Sequence, residues 1–176
     1  MAMLCDTLCY TLRDIEAQAQ SVDGHLPGTD AVWESSDVRP VLPGVHVTGR
    51  LSGAGPGRYY FSGALAGTAA AECRRCLGPA AVDVAEELHL VFAAAGLAEA
   101  DEDDVVRIPA GARELDLRPA VREEWLLALQ AYPLCRDDCL GLCPRCGADR
   151  NTEPCACAPV PDPRWAALGE HPPHHG

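Results

Sequence analysis

The sequence predicts an α+β fold, an antiparallel sheet meander packed by one main helix, with a C-terminal zinc-ribbon-like module. Three observations predict it. Apolar and polar residues alternate between residues 44 and 92, an amphipathic segment surrounds Trp125, and six of the ten cysteines follow residue 134. These features divide the 176 residues into an N-terminal helix and irregular segment at 1–43, a sheet and helix core at 44–133, a cysteine-rich zinc-binding module at 134–168 and a disordered tail at 169–176.

The N-terminal segment has the weakest pattern of the four. Apolar residues between Leu4 and Ile15 recur at helical spacing, which predicts a short helix at about residues 6–19. Residues 24–44 contain Pro27, Pro40 and Pro43. That stretch is therefore expected to be irregular or to form edge structure.

The following residues show the period of two that is typical of half-buried strands. Alternating apolar residues predict a first strand at 45–51, and the glycine-rich stretch 52–57 predicts a hairpin loop. A returning strand is predicted at about 59–68. Glycine inside a strand pattern often marks a bulge, so we expect one at Gly63 or Gly67.

A third strand, two short strands and the main helix complete the predicted core. Residues 81–92 form the third strand, with the even-numbered apolar residues on one face. Residues 105–108 and 114–117 are short strand candidates. An amphipathic helix is predicted at about 118–130, because apolar residues recur there at spacings of three and four. Pro119 suits its first turn, where a missing N–H costs nothing, and the helix should cover one face of the sheet.

The charge of the chain limits its partners. It has 26 acidic residues against 14 basic ones, all of them Arg, and a formal net charge of −12. Such a chain is poorly suited to contact a phosphate backbone over a broad face, whereas it suits a basic protein partner. The acidic stretch at 99–104 is interpreted either as a solvated loop or as a docking point for such a partner.

The cysteine content indicates the compartment. Nothing at the start of the chain resembles a signal peptide, and no apolar run reaches the roughly 18–20 residues of a membrane span. The ten cysteines are therefore interpreted as thiols of a reducing compartment rather than as disulfides. We expect a cytoplasmic protein with no membrane partner and no small-molecule substrate.

Eight of the cysteines have the spacing of metal ligands. Thiolates two residues apart across a turn can share one tetrahedral zinc, and a following Gly relieves the strained backbone. Residues 143–147 have this knuckle form, and residues 73–76 have the same spacing. The predicted metal ligands are Cys73, Cys76, Cys135, Cys139, Cys143, Cys146, Cys155 and Cys157.

Either one or two zinc ions fit these residues. The preferred grouping places the four cysteines between 143 and 157 on one zinc, because they fall within fifteen residues. Cys73 and Cys76 would then join Cys135 and Cys139 and tie the small module to the sheet. If only one zinc binds, Cys143 and Cys146 belong to it. The alternative is a set of metal-free buried or disulfide-capable thiols.

The zinc is interpreted as structural and the protein as non-enzymatic. A catalytic zinc needs an open coordination position and usually a His or carboxylate ligand, and no His lies within the cysteine-rich module. His46 and His89 fall on isolated strand positions. The sequence has no phosphate loop and no nucleophile elbow. Cys5 and Cys9 lack turn residues between them and are interpreted as bystanders.

Five segments carry a resemblance to a known family. In order and spacing they resemble the cysteine-bearing bacterial members of the YceD family, over about residues 44–168. The segments are residues 73–79, 114–123, 127–129, 133–147 and 162–168.

The resemblance implies a factor that supports accumulation of large-subunit ribosomal RNA. Its partner would be a basic ribosomal protein of the large subunit or a pre-large-subunit particle, with contact to ribosomal RNA as a further possibility. Two other functions stay open. A zinc-dependent nucleic-acid-binding regulator is favoured if Arg74, Arg75, Arg136 and Arg145 converge on one face. A thiol-redox or zinc-responsive protein would need an exposed, perturbed thiol at Cys73 or Cys76.

Overall fold

The computed structural model describes residues 7–97, 104–157 and 164 of the chain. The strands are β1 (Cys9–Thr11), β2 (Gln20–Leu26), β3 (Val45–Gly55), β4 (Arg58–Glu72), β5 (Pro79–Ala94), β6 (Val105–Ile108) and β7 (Glu114–Asp116). The helices are α1 (Leu12–Ala17) and α2 (Arg118–Leu127), with a short 3₁₀ helix at Ala31–Trp33.

The main sheet has five strands in the order β2-β3-β4-β5-β6, and β1 pairs with β7 in a separate two-stranded sheet. Strands β2 to β5 are antiparallel neighbours in chain order, which confirms the predicted meander and the α+β class. The sheet is not wholly antiparallel, because β6 pairs parallel to the end of β5. The alternation of apolar and polar residues in a four-residue strand does not indicate whether the strand runs parallel or antiparallel to its neighbour. The sequence pattern therefore could not predict the parallel pairing of β6.

The core lies on one face of the main sheet. Trp33 and Trp125 are fully buried there and meet edge to face, with ring centroids 5.2 Å apart. Trp125 belongs to α2 and Trp33 to the N-terminal segment, so their contact joins these two parts of the chain. Each large aromatic side chain buries on the order of 150–250 Å². The alternation predicted for the third strand is confirmed by five buried even-numbered residues, Val82, Val84, Leu88, Leu90 and Phe92.

Helix α2 begins where the sequence predicts and ends before residue 130. Pro119 lies in its first turn, and Ala120, Val121 and Trp125 form its buried face. The N–H of Ala128 bonds to the carbonyl of Leu126 as well as to that of Glu124, so the last turn tightens. The chain then leaves the helix, and the Pro133 carbonyl accepts a hydrogen bond from the Arg74 N–H at 2.9 Å.

The helix predicted at residues 6–19 is shorter in the structure. Helix α1 has six residues, and the Thr11 hydroxyl caps it by accepting from the Asp14 N–H at 3.3 Å. Leu8 adopts a left-handed backbone conformation with φ of 61° and is buried. That conformation interrupts a helix, so β1 and not a helix precedes Leu12.

Strand β2 lies where the sequence predicts no strand. Its buried residues Val22 and Leu26 are four apart, a spacing that is equally typical of a helix. Gly24 is the third residue on that face, and a Cβ there would lie 3.1 Å from the Leu8 Cδ2. Leu8 therefore fills the space that an apolar side chain at position 24 would otherwise occupy, and the alternating pattern of a strand is lost. The first 43 residues thus contribute an edge strand to the main sheet.

The β3–β4 hairpin is longer than predicted. The loop expected at 52–57 reduces to a turn at residues 56–57. The bulge expected at Gly63 or Gly67 is wrong, because the register shift lies between residues 53 and 55. Gly63 pairs with Gly49, and a Cβ on Gly63 would lie 2.7 Å from the Phe61 Cζ. These glycines make room for the Phe61 ring.

The cysteine-rich segment is built from turns. Residues 134–157 contain no helix or strand and have one isolated bridge, between Leu142 and Asp149. The resemblance segment at 162–168 and the tail lie outside the described residues apart from Arg164, as do residues 99–103 of the acidic stretch. No helix in the described part of the chain is long and apolar enough to cross a membrane.

Candidate metal centres

The structure brings the eight predicted cysteines together in two groups of four. We call Cys73, Cys76, Cys135 and Cys139 the first cluster, and Cys143, Cys146, Cys155 and Cys157 the second cluster. Within each cluster all sulfurs lie within 4.8 Å of one another. The grouping is the one that the spacing favoured.

The distances between the sulfurs fit a tetrahedral zinc. In the first cluster the Sγ atoms of Cys73 and Cys139 lie 3.8 Å apart, and those of Cys76 and Cys135 lie 3.7 Å apart. In the second cluster Cys146 and Cys155 are separated by 3.6 Å. Zinc–sulfur bonds of about 2.3 Å place tetrahedral sulfurs about 3.8 Å apart, whereas a disulfide needs about 2.05 Å. All eight cysteines are free thiols, so both clusters could hold a metal ion.

The first half of the first cluster is a turn at the end of β4. The Cys73 N–H bonds to the Gly78 carbonyl at 2.8 Å, and the Leu77 N–H bonds to the Cys73 carbonyl at 2.9 Å. Leu77 takes the left-handed conformation that this turn requires, with φ of 59°. The turn closes the β4–β5 hairpin and aims both sulfurs at the same point.

Arg75 connects this turn to the second half of the first cluster. Its Nη1 donates to the Cys139 carbonyl at 2.9 Å and to the Asp137 carbonyl at 3.3 Å. Its own carbonyl accepts from the Leu142 N–H at 2.9 Å. A Cβ on Gly141 would lie 2.9 Å from the same Arg75 oxygen, so glycine allows the close approach. The first cluster therefore joins the sheet to the cysteine-rich segment.

The second cluster repeats the same turn. The Cys143 N–H bonds to the Ala148 carbonyl at 2.8 Å, and the Gly147 N–H bonds to the Cys143 carbonyl at 2.9 Å. Gly147 has φ of 75°, so here glycine takes the left-handed position that Leu77 takes in the first cluster. The N–H of Cys157 points at the Cys155 sulfur at 3.4 Å.

Asn151 contacts the first cluster and was not predicted as a site residue. Its Nδ2 donates to the Cys139 sulfur at 3.5 Å. Its Oδ1 accepts from the Leu140 N–H at 2.8 Å and from the Arg136 Nη2 at 2.9 Å. Residues that orient metal ligands in this way tune the site. The Asp149 carboxylate, which accepts from the Asn151 N–H at 2.9 Å, is the turn signal that could have indicated it.

The backbone makes one thiol of each cluster easier to ionise. The N–H of Cys76, with smaller contributions from neighbouring amides, lowers the pKa of Cys73 to about 6 against the effect of burial. The N–H groups of Cys146 and Arg145 lower the pKa of Cys143 to about 6. A thiolate is the form that binds metal, so each turn prepares one ligand.

Other thiols of the clusters resist ionisation because the sulfurs are so close. Desolvation, and then the hydrogen bond with the Cys139 sulfur, raise the pKa of Cys135 to about 12. The sulfurs of Cys155 and Cys146 raise the pKa of Cys157 to about 12. Four neighbouring thiolates repel one another unless a cation lies among them. This donor set therefore suits a soft or borderline cation such as zinc.

The remaining residues singled out from the sequence lie apart from the clusters. Cys9 is disulfide-bonded, so the expectation that all ten cysteines are thiols is wrong at this position, and Cys5 lies outside the described residues. The His46 Nε2 is 2.9 Å from the Asp23 carboxylate, and the His89 Nδ1 is 2.8 Å from the Tyr60 hydroxyl. These histidines therefore have partners on the exposed face of the sheet and do not join a cysteine cluster.

Fold and site together define a small α+β protein with a mainly antiparallel sheet and two four-cysteine clusters suited to metal. The chain belongs to the YceD family. The model of that family, described as large ribosomal RNA subunit accumulation protein YceD, matches residues 61–170. The matched region starts within β4 and contains all eight clustered cysteines.

Several curated proteins are similar to the chain. An uncharacterized protein of Mycobacterium tuberculosis is 37% identical over 112 residues, which covers 62% of this chain and 53% of the relative. One of Mycobacterium leprae is 32% identical over 110 residues, covering 61% and 50%. A Zea mays protein named large ribosomal RNA subunit accumulation protein YCED homolog 1, chloroplastic, is 35% identical over 71 residues, covering 40% and 24%. The chain spans about half the length of the mycobacterial relatives that it matches, and no solved structure matches it.

Proposed function

We propose that this protein is a non-enzymatic factor of the cytoplasm that supports accumulation of large-subunit ribosomal RNA. It would do so by binding a basic ribosomal protein of the large subunit or a pre-large-subunit particle, and two zinc ions would stabilise its fold. The observation that carries the proposal is the family match over residues 61–170, because the description of that family names this role.

The charge of the chain supports a basic partner. The formal charge is −12 before any metal is counted. Each zinc with four thiolates would add a net charge of −2, so two centres would bring the chain to about −16. Charge of this sign raises the association rate with a positively charged protein and repels a free phosphate backbone.

The zinc ions are proposed to be structural because each cluster supplies four thiolates. A fourth protein ligand leaves no open position for a substrate or an activated water. The first cluster would hold the cysteine-rich segment against the end of β4, and the second would fold residues 143–157 around itself. Binding free energy at such sites is folding free energy.

The contacts of the arginines argue against the nucleic-acid-binding alternative. Arg75 donates to carbonyls of the first cluster, and Arg136 donates to Asn151 and to the Asp138 carboxylate, the latter at 3.3 Å. Both arginines are exposed, but their guanidinium N–H groups already bond to acceptors of the module, which leaves fewer donors for phosphates. The thiol-redox alternative would need an exposed, perturbed thiol at Cys73 or Cys76. Backbone N–H groups lower the pKa of Cys73, but this residue is fully buried, which disfavours that alternative.

The proposal is tested by purifying the tagged full chain from gently lysed cells and by sedimenting the lysate through a sucrose gradient. Co-purification of one basic large-subunit protein, or co-sedimentation with pre-large-subunit particles, is the expected result. A tagged acidic protein of similar charge and size is the control for charge alone. If the chain stays at the top of the gradient without ribosomal components, the assembly role is wrong.

Zinc is tested separately by elemental analysis of the purified chain. Two zinc ions per chain are expected, and both should transfer to a chelator on thiol modification. Purified protein with eight titratable thiols and no metal would refute the zinc assignment.

A further inference from the structure

Among the described residues, strand β5 has a long edge to which no other strand is paired. It spans 16 residues, and β4 pairs with it along residues 79–93. On its other side β6 pairs only with residues 91–94. Within the described residues, no strand lies against the outer side of residues 79–90. An unpaired strand edge is a template for another extended chain.

The register shows which backbone groups point outward from this edge. The Ala94 N–H bonds to the Gly57 carbonyl at 2.8 Å, and the Cys73 N–H bonds to the Gly78 carbonyl at the same distance. The β4–β5 register is continuous between these two contacts, so the even-numbered residues of β5 point their backbone groups toward β4. The Ala95 N–H confirms the opposite direction for odd residues, since it bonds to the carbonyl of Ile108, the last residue of β6. The outward N–H and C=O groups therefore belong to Ala81, Asp83, Ala85, Glu87 and His89.

The side chains along this edge leave it accessible and make it acidic. The five residues whose backbone groups point outward all have exposed side chains. Their even-numbered neighbours, other than Glu86, are mostly buried in the core. Asp83, Glu86 and Glu87 are exposed carboxylates, and residues 79–90 contain no Arg or Lys. The Thr68 hydroxyl donates to the Asp83 Oδ1 at 2.7 Å, which holds that carboxylate over the open face of the sheet.

We propose that residues 79–90 bind an extended, Lys- or Arg-bearing segment of a basic protein partner, which adds to the main sheet as a strand beside β5. The backbone groups of the odd-numbered residues would supply the pairing, and the three carboxylates would select positive charge. This inference rests on the proposed function and deepens it, because it names the part of the molecule that a basic partner contacts.

The same charges disfavour a second copy of this chain as the occupant. Antiparallel pairing of two β5 edges about Ala85 would place Asp83 opposite the Glu87 of the other copy. Like charges that face each other across strands are destabilising. The edge is thus protected from self-pairing and open to a partner of opposite charge.

A peptide assay on the full chain tests this inference. The probe is a short synthetic peptide of alternating Lys and Val. Its binding is followed by amide exchange and by backbone NMR shifts of the labelled protein. We expect slowed exchange at the amides of residues 81, 83, 85, 87 and 89, with no change at the even-numbered amides that already pair with β4. The same peptide with N-methylated backbone amides keeps its charge and should bind about tenfold more weakly.

Two variants locate the binding on the protein. Ala85→Pro removes one outward N–H and leaves the β4 ladder complete, so the fold should persist while the peptide loses affinity. Asp83→Lys with Glu87→Lys should weaken binding about tenfold at low salt. Glu34→Lys with Glu123→Lys makes the same change in net charge away from the edge and should have little effect.

Three outcomes would overturn the proposal. These are equal binding of the N-methylated peptide, equal losses from the two charge-reversal pairs, and edge amides that are already protected in the free chain. The first two would show attraction by overall charge only, and the third would show that the chain covers its own edge. The proposed function is tested by sedimentation with ribosomal particles and the edge binding by the peptide assay, so either proposal can fail without the other.

Discussion

Replacing Cys135 and Cys139 with Ser is predicted to destabilise the protein more than replacing Cys143 and Cys146, although each change removes two ligands from one cluster. Cys76 and Cys135 are 59 residues apart in sequence, whereas Cys146 and Cys155 are 9 residues apart. A metal cross-link removes loop-closure entropy from the unfolded chain as a disulfide does. The chain-entropy relation gives about 4 kcal/mol for the longer loop and about 2.5 kcal/mol for the shorter one.

The two clusters also differ in what they hold. Loss of the first cluster frees the cysteine-rich segment from the end of β4 and exposes Cys73, which is fully buried. Loss of the second affects residues 143–157, which contribute no strand to the sheet. We therefore expect the Cys135 and Cys139 double variant to lose about 10 °C in Tm. The change at Cys143 and Cys146 should unfold its own module and leave most of the sheet transition in place.

Urea unfolding followed by tryptophan fluorescence measures the difference, because Trp33 and Trp125 report on the core. Elemental analysis in parallel should show one zinc per chain in each double variant and two in the parent. The reasoning is refuted if the Cys143 and Cys146 variant lowers the free energy of unfolding as much as the Cys135 and Cys139 variant. It is also refuted if either variant keeps two zinc ions.

Three further predictions concern single residues. Gly63→Ala should lower the free energy of unfolding in urea by about 2–3 kcal/mol, because its Cβ would meet the Thr48 carbonyl and the Phe61 ring. The control is Gly53→Ala, whose Cβ would have only one contact, at 3.8 Å, and which should change that free energy by under about 0.5 kcal/mol. Asn151→Ala should speed zinc release to a chelator about tenfold or more, since it removes a donor to the Cys139 sulfur; a rate equal to that of Gln130→Ala would contradict this. Burial, and then its bond to Glu16 at 2.8 Å, raise the pKa of Tyr59 to about 12. Because the folded state favours the neutral phenol, the resulting stability is complete below pH 10 and is lost as pH rises through about 12. Tyrosinate absorbance should therefore show a late step that Tyr59→Phe abolishes, and a single step near pH 10 would disprove the shift.

The parts of the fold that follow a simple period were predictable from the sequence. The even-numbered residues from Val82 to Phe92 are apolar and buried in the core, with the single exception of Glu86. Pro119 marks the start of α2 for a local steric reason. The grouping of the cysteines was likewise accessible, because four of them fall within fifteen residues and the other four remain as two pairs.

The parts that depend on distant residues were not predictable in this way. Strand β2 is hidden because Gly24 takes the place of an apolar residue whose space Leu8 fills from outside the sheet. Asn151 contacts the first cluster from a position 12 residues after Cys139, and a lone Asn carries no recognisable spacing. In the part of the chain that the structure describes, the outer edge of β5 is unpaired because β6 is short and pairs parallel, and neither property can be read from the residues of β5.

The arrangement of the first cluster also sets an order of events during synthesis. Its two halves are separated by 59 residues, which take about 3–12 s to translate at about 5–20 residues per second. During that interval the β4–β5 hairpin carries two thiols with no other half of their site. The sheet can thus form before the first cluster is complete, and with the proposed zinc the fold would be completed only when Cys135 and a free zinc ion are both available.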